Sequence, residues 1–217
     1  MEQVEATPAI PLWINGHAYL TVAAAFCEVR NPRTGQVLRR TPLCDASVAQ
    51  HAVAAAQAAL AGWAVQTASA RAALLGALAA ALSGYAGHFA ALLAEETGEP
   101  AAAAAEVTQA VALLRGDLAP QAAESAGPSA AQNAADVVGI VGASSAPLYG
   151  PLRLAVPALL AGAVVIVKPS PATPSALYAL AELTALCHFP GGVFSVVHGG
   201  EAAVEGLRGA GVRMLFA

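Results

Sequence analysis

The sequence predicts an α/β protein: a Rossmann-like parallel sheet of about four strands with helices on both faces, preceded by a helical and extended N-terminal segment. Three observations predict it. From residue 137 onward, apolar runs (Val137 to Val141, Val164 to Val167, Val193 to Val197, Val212 to Phe216) alternate with helical stretches (Pro147 to Ala161, Ser175 to Cys187, Ala202 to Arg208). That rhythm calls for crossover connections and hence parallel strands. The strand runs are continuously apolar, as strands covered on both faces must be. Before residue 135 the dominant period is helical.

Each element has its own signal. Residues 1–44 form an extended lead-in, in which Asn15-Gly16 and Thr34-Gly35 read as hairpin-like turns between short apolar runs. Residues 45–118 are helical. Asp45 is a candidate N-cap, and Val48, Ala52, Ala55, Ala59 and Trp63 follow at helical spacing. A second helix runs from about Ser69 to Leu82 and is interrupted by Gly84; Tyr85 to Glu96 continues until Gly98 and Pro100 stop it. Ala101 to Arg115 is alanine-rich and helical. Residues 119–136 lack periodicity and read as a linker; residues 137–217 carry the βαβ rhythm.

Composition excludes several classes of function. With 57% hydrophobic and 11% charged residues the chain is far too apolar for disorder. Its net charge is -4 and its ten Lys and Arg residues form no basic stripe, so nucleic acid is not an expected partner. Mean hydropathy is +0.61, yet the longest apolar run, Leu154 to Val167, is shorter than the roughly 20 residues of a spanning helix and holds Pro157 and Gly162. No membrane association is expected. The first ten residues carry acids and no apolar core of a signal peptide, and Cys27, Cys44 and Cys187 have no metal-ligand spacing. The expectation is a cytoplasmic protein with reduced thiols, each packed as a small buried hydrophobe.

In open α/β sheets ligands gather beyond the carboxyl ends of the strands, and three such exits stand out. The first is Val141-Gly142-Ala143-Ser144-Ser145-Ala146-Pro147, where backbone N–H groups at a helix start suit a phosphate. The second is Lys168-Pro169-Ser170: a lysine directly after a buried Val-Val-Ile-Val run needs an anion, a hydroxyl or water. The third is His198-Gly199-Gly200-Glu201, whose glycines permit a tight turn and close approach; no carboxylate or nucleophile lies at a spacing that would make His198 catalytic. Ser144 and Ser145 sit in no G-x-S-x-G context.

Several motifs occur together in order. They are Ile14-Asn15-Gly16, Asn31-Pro32-x-Thr34-Gly35, Glu96-Thr97-Gly98-Glu99-Pro100, Pro147-Leu148, Pro157-Ala158-Leu159-x-Ala161-Gly162, Val164 to Ser170 with Thr173-Pro174, and Phe189-Pro190-Gly191-Gly192-Val193 leading to Gly199. In this order the chain resembles the N-terminal, cofactor-binding part of the aldehyde dehydrogenase superfamily. The resemblance implies NAD or NADP as cofactor, bound by Val141, Gly142, Ala143, Lys168, Ser170 and Gly199. It also exposes departures. Ala143, Ser144 and Ser145 stand where the family has Pro-Trp-Asn, so Ser145 occupies the position of the oxyanion asparagine. Pro171 stands where the family often has the acid that meets the cofactor ribose. Residues 119–136 stand where the family usually places an oligomerisation hairpin, and they are poor in β-formers, so the alternative to a linker is a degenerate form of that hairpin. Phe216 begins the family's Phe-Thr-Gly-Ser motif, and no cysteine here matches the family's nucleophile. The resemblance therefore implies no catalytic residue and no metal. It implies a non-catalytic subunit that works with a protein partner, either a full-length aldehyde dehydrogenase or a second copy. The alternatives are an NAD(P)-binding module or one half of a split oxidoreductase.

Overall fold

The computed structural model describes residues 7–117 and 136–217. The lead-in forms β1 (Leu12–Ile14), β2 (His17–Tyr19), β3 (Phe26–Arg30) and β4 (Val37–Pro42). Helices α1 (Ala46–Ala64), α2 (Ala68–Gly84), α3 (Ala86–Thr97) and α4 (Pro100–Arg115) follow. The βα part runs β5 (Val137–Val141), α5 (Tyr149–Ala161), β6 (Val164–Lys168), α6 (Ser175–Leu186), β7 (Phe194–Val196), α7 (Glu201–Gly209) and β8 (Arg213–Phe216). The linker expected at 119–136 lies, except for Asp136, outside the described residues.

The main sheet has the order β2-β1-β7-β6-β5-β8. Its β7-β6-β5-β8 part is parallel, as the alternating rhythm requires. The sheet is larger than expected, with six strands instead of about four, because the β1–β2 hairpin adds antiparallel to β7 through Trp13↔Val196. Asn15 (φ 55) and Gly16 (φ 77) make the two-residue turn that such a hairpin demands. All three residues of β1 are buried, so the lead-in contributes to the core. The β3–β4 pair forms a separate two-stranded sheet, whose turn is tied by Asn31 Oδ1 accepting from the N–H groups of Arg33 (2.9 Å) and Thr34 (3.2 Å).

Small residues set the helix–sheet distance. A Cβ on Gly192 would lie 2.4 Å from the carbonyl oxygen of Ala55, and one on Gly206 would lie 2.7 Å from the Cα of Ala46. Glycine at these points lets α1 rest directly on the turn before β7 and on α7. Two larger side chains then anchor the helical layer. Trp63, fully buried, donates from Nε1 to the Leu159 carbonyl (3.1 Å). Arg71, also buried, donates from Nε to the Leu160 carbonyl (2.9 Å) and from Nη1 to the Gln66 carbonyl (2.5 Å). Leu159 and Leu160 lie in the last turn of α5, so both side chains tie that helix end to the helical layer. Among the described residues no single helix is long and apolar enough to cross a membrane.

Candidate functional site

Strands β7, β6 and β5 are neighbours, so the three exits open side by side at one edge of the sheet. At the β5 exit, Val141 pairs in register with Lys168, and the Gly142 N–H donates to the Lys168 carbonyl (2.8 Å). A Cβ on Gly142 would lie 3.0 Å from Cγ of Pro151, so its small size is used up by α5. Ala143, Ser144 and Ser145 are exposed beyond it. The start of α5 differs from the expectation of a free phosphate site. The N–H groups of Leu148 and Tyr149 both donate to Oε1 of Glu106, at 2.8 Å each. A carboxylate of the chain itself holds those donors and repels a second anion there.

Lys168 ends β6 with only 5% of its surface exposed, and its Nζ donates to the Pro169 carbonyl (3.0 Å). Burial lowers its pKa, and the nearby Cys27 works in the opposite direction. Ser170 Oγ accepts from the Ala172 N–H (3.3 Å), and Pro171 has no acceptor side chain. At the β7 exit Gly199 has φ 135, and a Cβ there would lie 3.1 Å from the Cys44 carbonyl oxygen and 3.0 Å from Ala203. Packing against Cys44 and α7 by itself calls for glycine there; at Gly200 the space is open. His198 is structural. It is buried, its Nε2 lies 3.0 Å from the Pro11 carbonyl, and burial lowers its pKa to about 4.

Sequence reasoning missed two carboxyls that shape this end of the sheet. Glu106 is the first. Glu96 is the second: it is 3% exposed, and both its oxygens accept from Ser175, one from Oγ and one from N–H (3.2 Å). It thereby holds the first turn of α6, directly after the β6 exit loop. Arg39 of β4 approaches it at 3.6 Å and also pairs with Glu95 at 2.8 Å. Burial raises the Glu96 pKa to about 7, overcoming the Ser175 hydrogen bonds and the Arg39 charge. No local motif announces either contact, since the partners are separated by 42 and 79 residues.

Beside these groups lies a cavity of about 360 Å³ lined by Glu96, Glu99, Glu106, Ser144, Ser145 and Thr173, among others. Ser144, where the resemblance expects a tryptophan, is one of its lining residues. A groove of about 450 Å³ between α3 and α4 has a mostly alanine and valine lining and lies off the strand exits.

The three thiols differ in burial. Cys44 is buried, and burial raises its pKa to about 11. Cys187 caps the far end of α6, and burial raises its pKa too. Cys27 sits on β3 with its Sγ 3.9 Å from the Glu28 carbonyl. Only Cys44 meets the expectation of a buried small hydrophobe; Cys27 and Cys187 are half-buried. Among the described residues no group of three His, Cys, Asp or Glu side chains is placed to hold a metal ion.

The chain matches the aldehyde dehydrogenase family over residues 20–215. It is 36% identical to the N-succinylglutamate 5-semialdehyde dehydrogenase of Pseudomonas fluorescens, over 94% of this chain and 44% of that protein. It is 30% identical to the 2-hydroxymuconic semialdehyde dehydrogenase of a Pseudomonas species, over 86% of this chain and 42% of that protein. Among solved structures, a methylmalonate-semialdehyde dehydrogenase from Sinorhizobium meliloti, complexed with NAD, superposes with a TM-score of 0.83 at 20% identity, covering 98% of this chain and 50% of that one. The lactaldehyde dehydrogenase of Escherichia coli gives 0.81 at 23% identity, with 97% and 52% covered. At these identities the structures share the fold. The chain spans about 42 to 44% of these curated relatives and about half of these solved structures. By the extent and order of these matches, the chain belongs to the aldehyde dehydrogenase family.

Proposed function

We propose that this chain supplies the NAD(P)-binding part of an aldehyde oxidoreductase and carries no aldehyde chemistry on its own thiols. The observation that supports it best is the exit of β6. A buried lysine stands there in the middle of a parallel sheet, with exposed small residues on the β5 side and an open Gly200 on the β7 side. The residues present fit a dinucleotide at one strong point, Lys168, which would donate to a ribose hydroxyl. Pro171 cannot add an acceptor, and Glu106 closes the start of α5 to a phosphate. Affinity in this reading is modest. A bound nicotinamide would supply hydride acceptance; Ser145 would present its hydroxyl near a substrate carbonyl as a short substitute for an amide donor.

In this reading the chain is non-catalytic on its own and works as a structural or regulatory subunit. Its partner is a full-length aldehyde dehydrogenase or a second copy. Among the described residues β8 pairs with β5 alone and carries Phe216 at 62% exposure, which supports a partner. A spectrophotometric assay of the purified chain with NAD, NADP and several aldehydes tests the chemistry. No reduced nicotinamide should form, and turnover abolished by changing one of the three cysteines would refute the proposal. Light scattering, alone and with a co-expressed dehydrogenase, tests the partner: a lone monomer in every mixture would refute that part.

A further inference from the structure

We infer, resting on the dinucleotide reading of the β6 exit, that Glu96 is a positioning residue for that crevice: through Ser175 it sets the loop that presents Lys168 and Ser170. The loop is Pro169-Ser170-Pro171-Ala172-Thr173-Pro174, between β6 and α6. Three of its six residues are proline, whose rings fix φ and carry no N–H. Two internal bonds tighten it further. The Thr173 N–H donates to the Ser170 carbonyl (3.1 Å), and the Ala172 N–H donates to Ser170 Oγ (3.3 Å). Such a strap moves as a unit, so its two ends determine its path. At one end the Lys168 carbonyl accepts from the Gly142 N–H (2.8 Å), which ties it to the β5 exit. The other end is Ser175, the first residue of α6.

That second end is held from outside the helix. Pro174, which precedes α6, supplies no side-chain cap. Glu96 of α3 takes the part: Oε2 accepts from the Ser175 N–H (3.2 Å) and Oε1 from Ser175 Oγ. An anion at a helix start is favourable. The carboxyl is 3% exposed, so water does not stand in for it. Arg39 of β4 lies 3.6 Å from Oε1 and pairs more closely with Glu95, at 2.8 Å. The other titratable groups about this junction are His88 of α3 with Tyr178 and Glu182 of α6, which share a groove with Arg39 and Ser175, and Glu99 and Glu106 on the α4 side. Burial raises the Glu96 pKa to about 7, so the anchor changes strength near neutrality. Ionised, Glu96 receives two charge-assisted bonds, about twice as strong as neutral ones. Protonated, it loses that charge, and its O–H turns the Ser175 Oγ bond round. The loop is therefore held more firmly at pH 8 than at pH 6, and the dinucleotide gains.

Calorimetric titration of the full chain at pH 6, 7 and 8 tests this with NAD, whose own groups do not titrate in that range. Wild-type affinity should rise about three- to tenfold from pH 6 to pH 8. Glu96→Gln should bind as weakly at pH 8 as at pH 6, although it removes the cost of burying a charge. A side chain that only supported the fold would move stability and affinity together. Lys168, whose own pKa burial lowers, titrates alike in both chains and drops out of the comparison. Ser175→Ala should weaken binding at pH 8 by a similar factor, Ser175→Thr should retain it, and His88→Gln should keep the wild-type profile. Amide hydrogen exchange of residues 168–176 without ligand, corrected for intrinsic rates, should show more protection at pH 8 than at pH 6 in wild type and no such difference in Glu96→Gln. No NAD heat from the wild-type chain, with protection that follows this pattern, overturns the dinucleotide reading and supports the anchor. The inference is overturned by protection indifferent to pH and to the Glu96 substitution, by measurable wild-type affinity that stays flat from pH 6 to 8, by a wild-type profile in Glu96→Gln, or by a flat one in His88→Gln.

Discussion

Glu96→Gln should change the shape of the stability–pH curve, and the structure sets both sign and size. Burial raises the Glu96 pKa from 4.5 to about 7. As pH rises through that interval the unfolded chain ionises at this position while the folded chain keeps its proton. Glu96 therefore lowers stability with rising pH, by on the order of 3 kcal/mol at about 1.36 kcal/mol per pKa unit. His198 does the reverse. Burial lowers its pKa from 6.5 to about 4, so between those values the unfolded chain holds a proton that the folded chain refuses. Stability then rises with pH, again by on the order of 3 kcal/mol. The two windows overlap and the signs oppose. The contributions of these two groups should nearly cancel between about pH 5 and 6.5. In Glu96→Gln the His198 slope is unmasked, and stability should climb steeply from about pH 4 to 6.5. In His198→Gln it should fall from about pH 4.5 to 7. Urea unfolding followed by circular dichroism at half-unit pH steps measures this, and wild-type-minus-variant difference curves remove the background of other carboxylates. If both variants keep the wild-type shape, the two buried groups do not titrate as described and the account of this layer is wrong.

Three further outcomes follow from named contacts. Glu106→Ala leaves the Leu148 and Tyr149 N–H groups without their shared acceptor and should cost about 1–3 kcal/mol in denaturant unfolding; an unchanged midpoint would contradict the capping role. Gly192→Ala forces a Cβ to 2.4 Å from the Ala55 carbonyl at φ 84, and should cost about 3 kcal/mol or more, or prevent folding; a melting temperature within a degree or so of wild type would show that α1 packs elsewhere. Cys44, buried with its pKa raised to about 11, should react with a thiol reagent at pH 8 far more slowly than Cys27; equal rates for the two, read by mass spectrometry, would contradict this burial.

The second half of the fold was legible because its signals are local. Four apolar runs with helices between them determine a parallel arrangement almost by themselves; in the first half Asp45 and Gly98 mark helix ends as expected. The β1–β2 addition was not legible. Three-residue strands carry little pattern, and the Trp13↔Val196 pairing joins positions far apart in the chain. The site divides in the same way. Lys168 at the end of β6 stood out because a lysine after four buried aliphatics is anomalous, and the structure keeps it buried. That its ammonium would meet the Pro169 carbonyl was invisible, as were the contacts of Glu106, on α4, with the start of α5 and of Glu96, on α3, with the start of α6. Those contacts depend on how the helical layer docks on the sheet. At Gly142 and Gly199 the structure adds a reason for glycine that the sequence did not show, since protein atoms lie close to both.

The most direct test of the functional account is calorimetric titration of the chain with NAD and with NADP, beside Lys168→Ala. Saturable binding by the wild-type chain, weakened about tenfold by the substitution, is the outcome the β6 exit predicts. A folded wild-type chain that gives no heat and no thermal shift at millimolar dinucleotide, or one that binds equally well without the lysine, would contradict it.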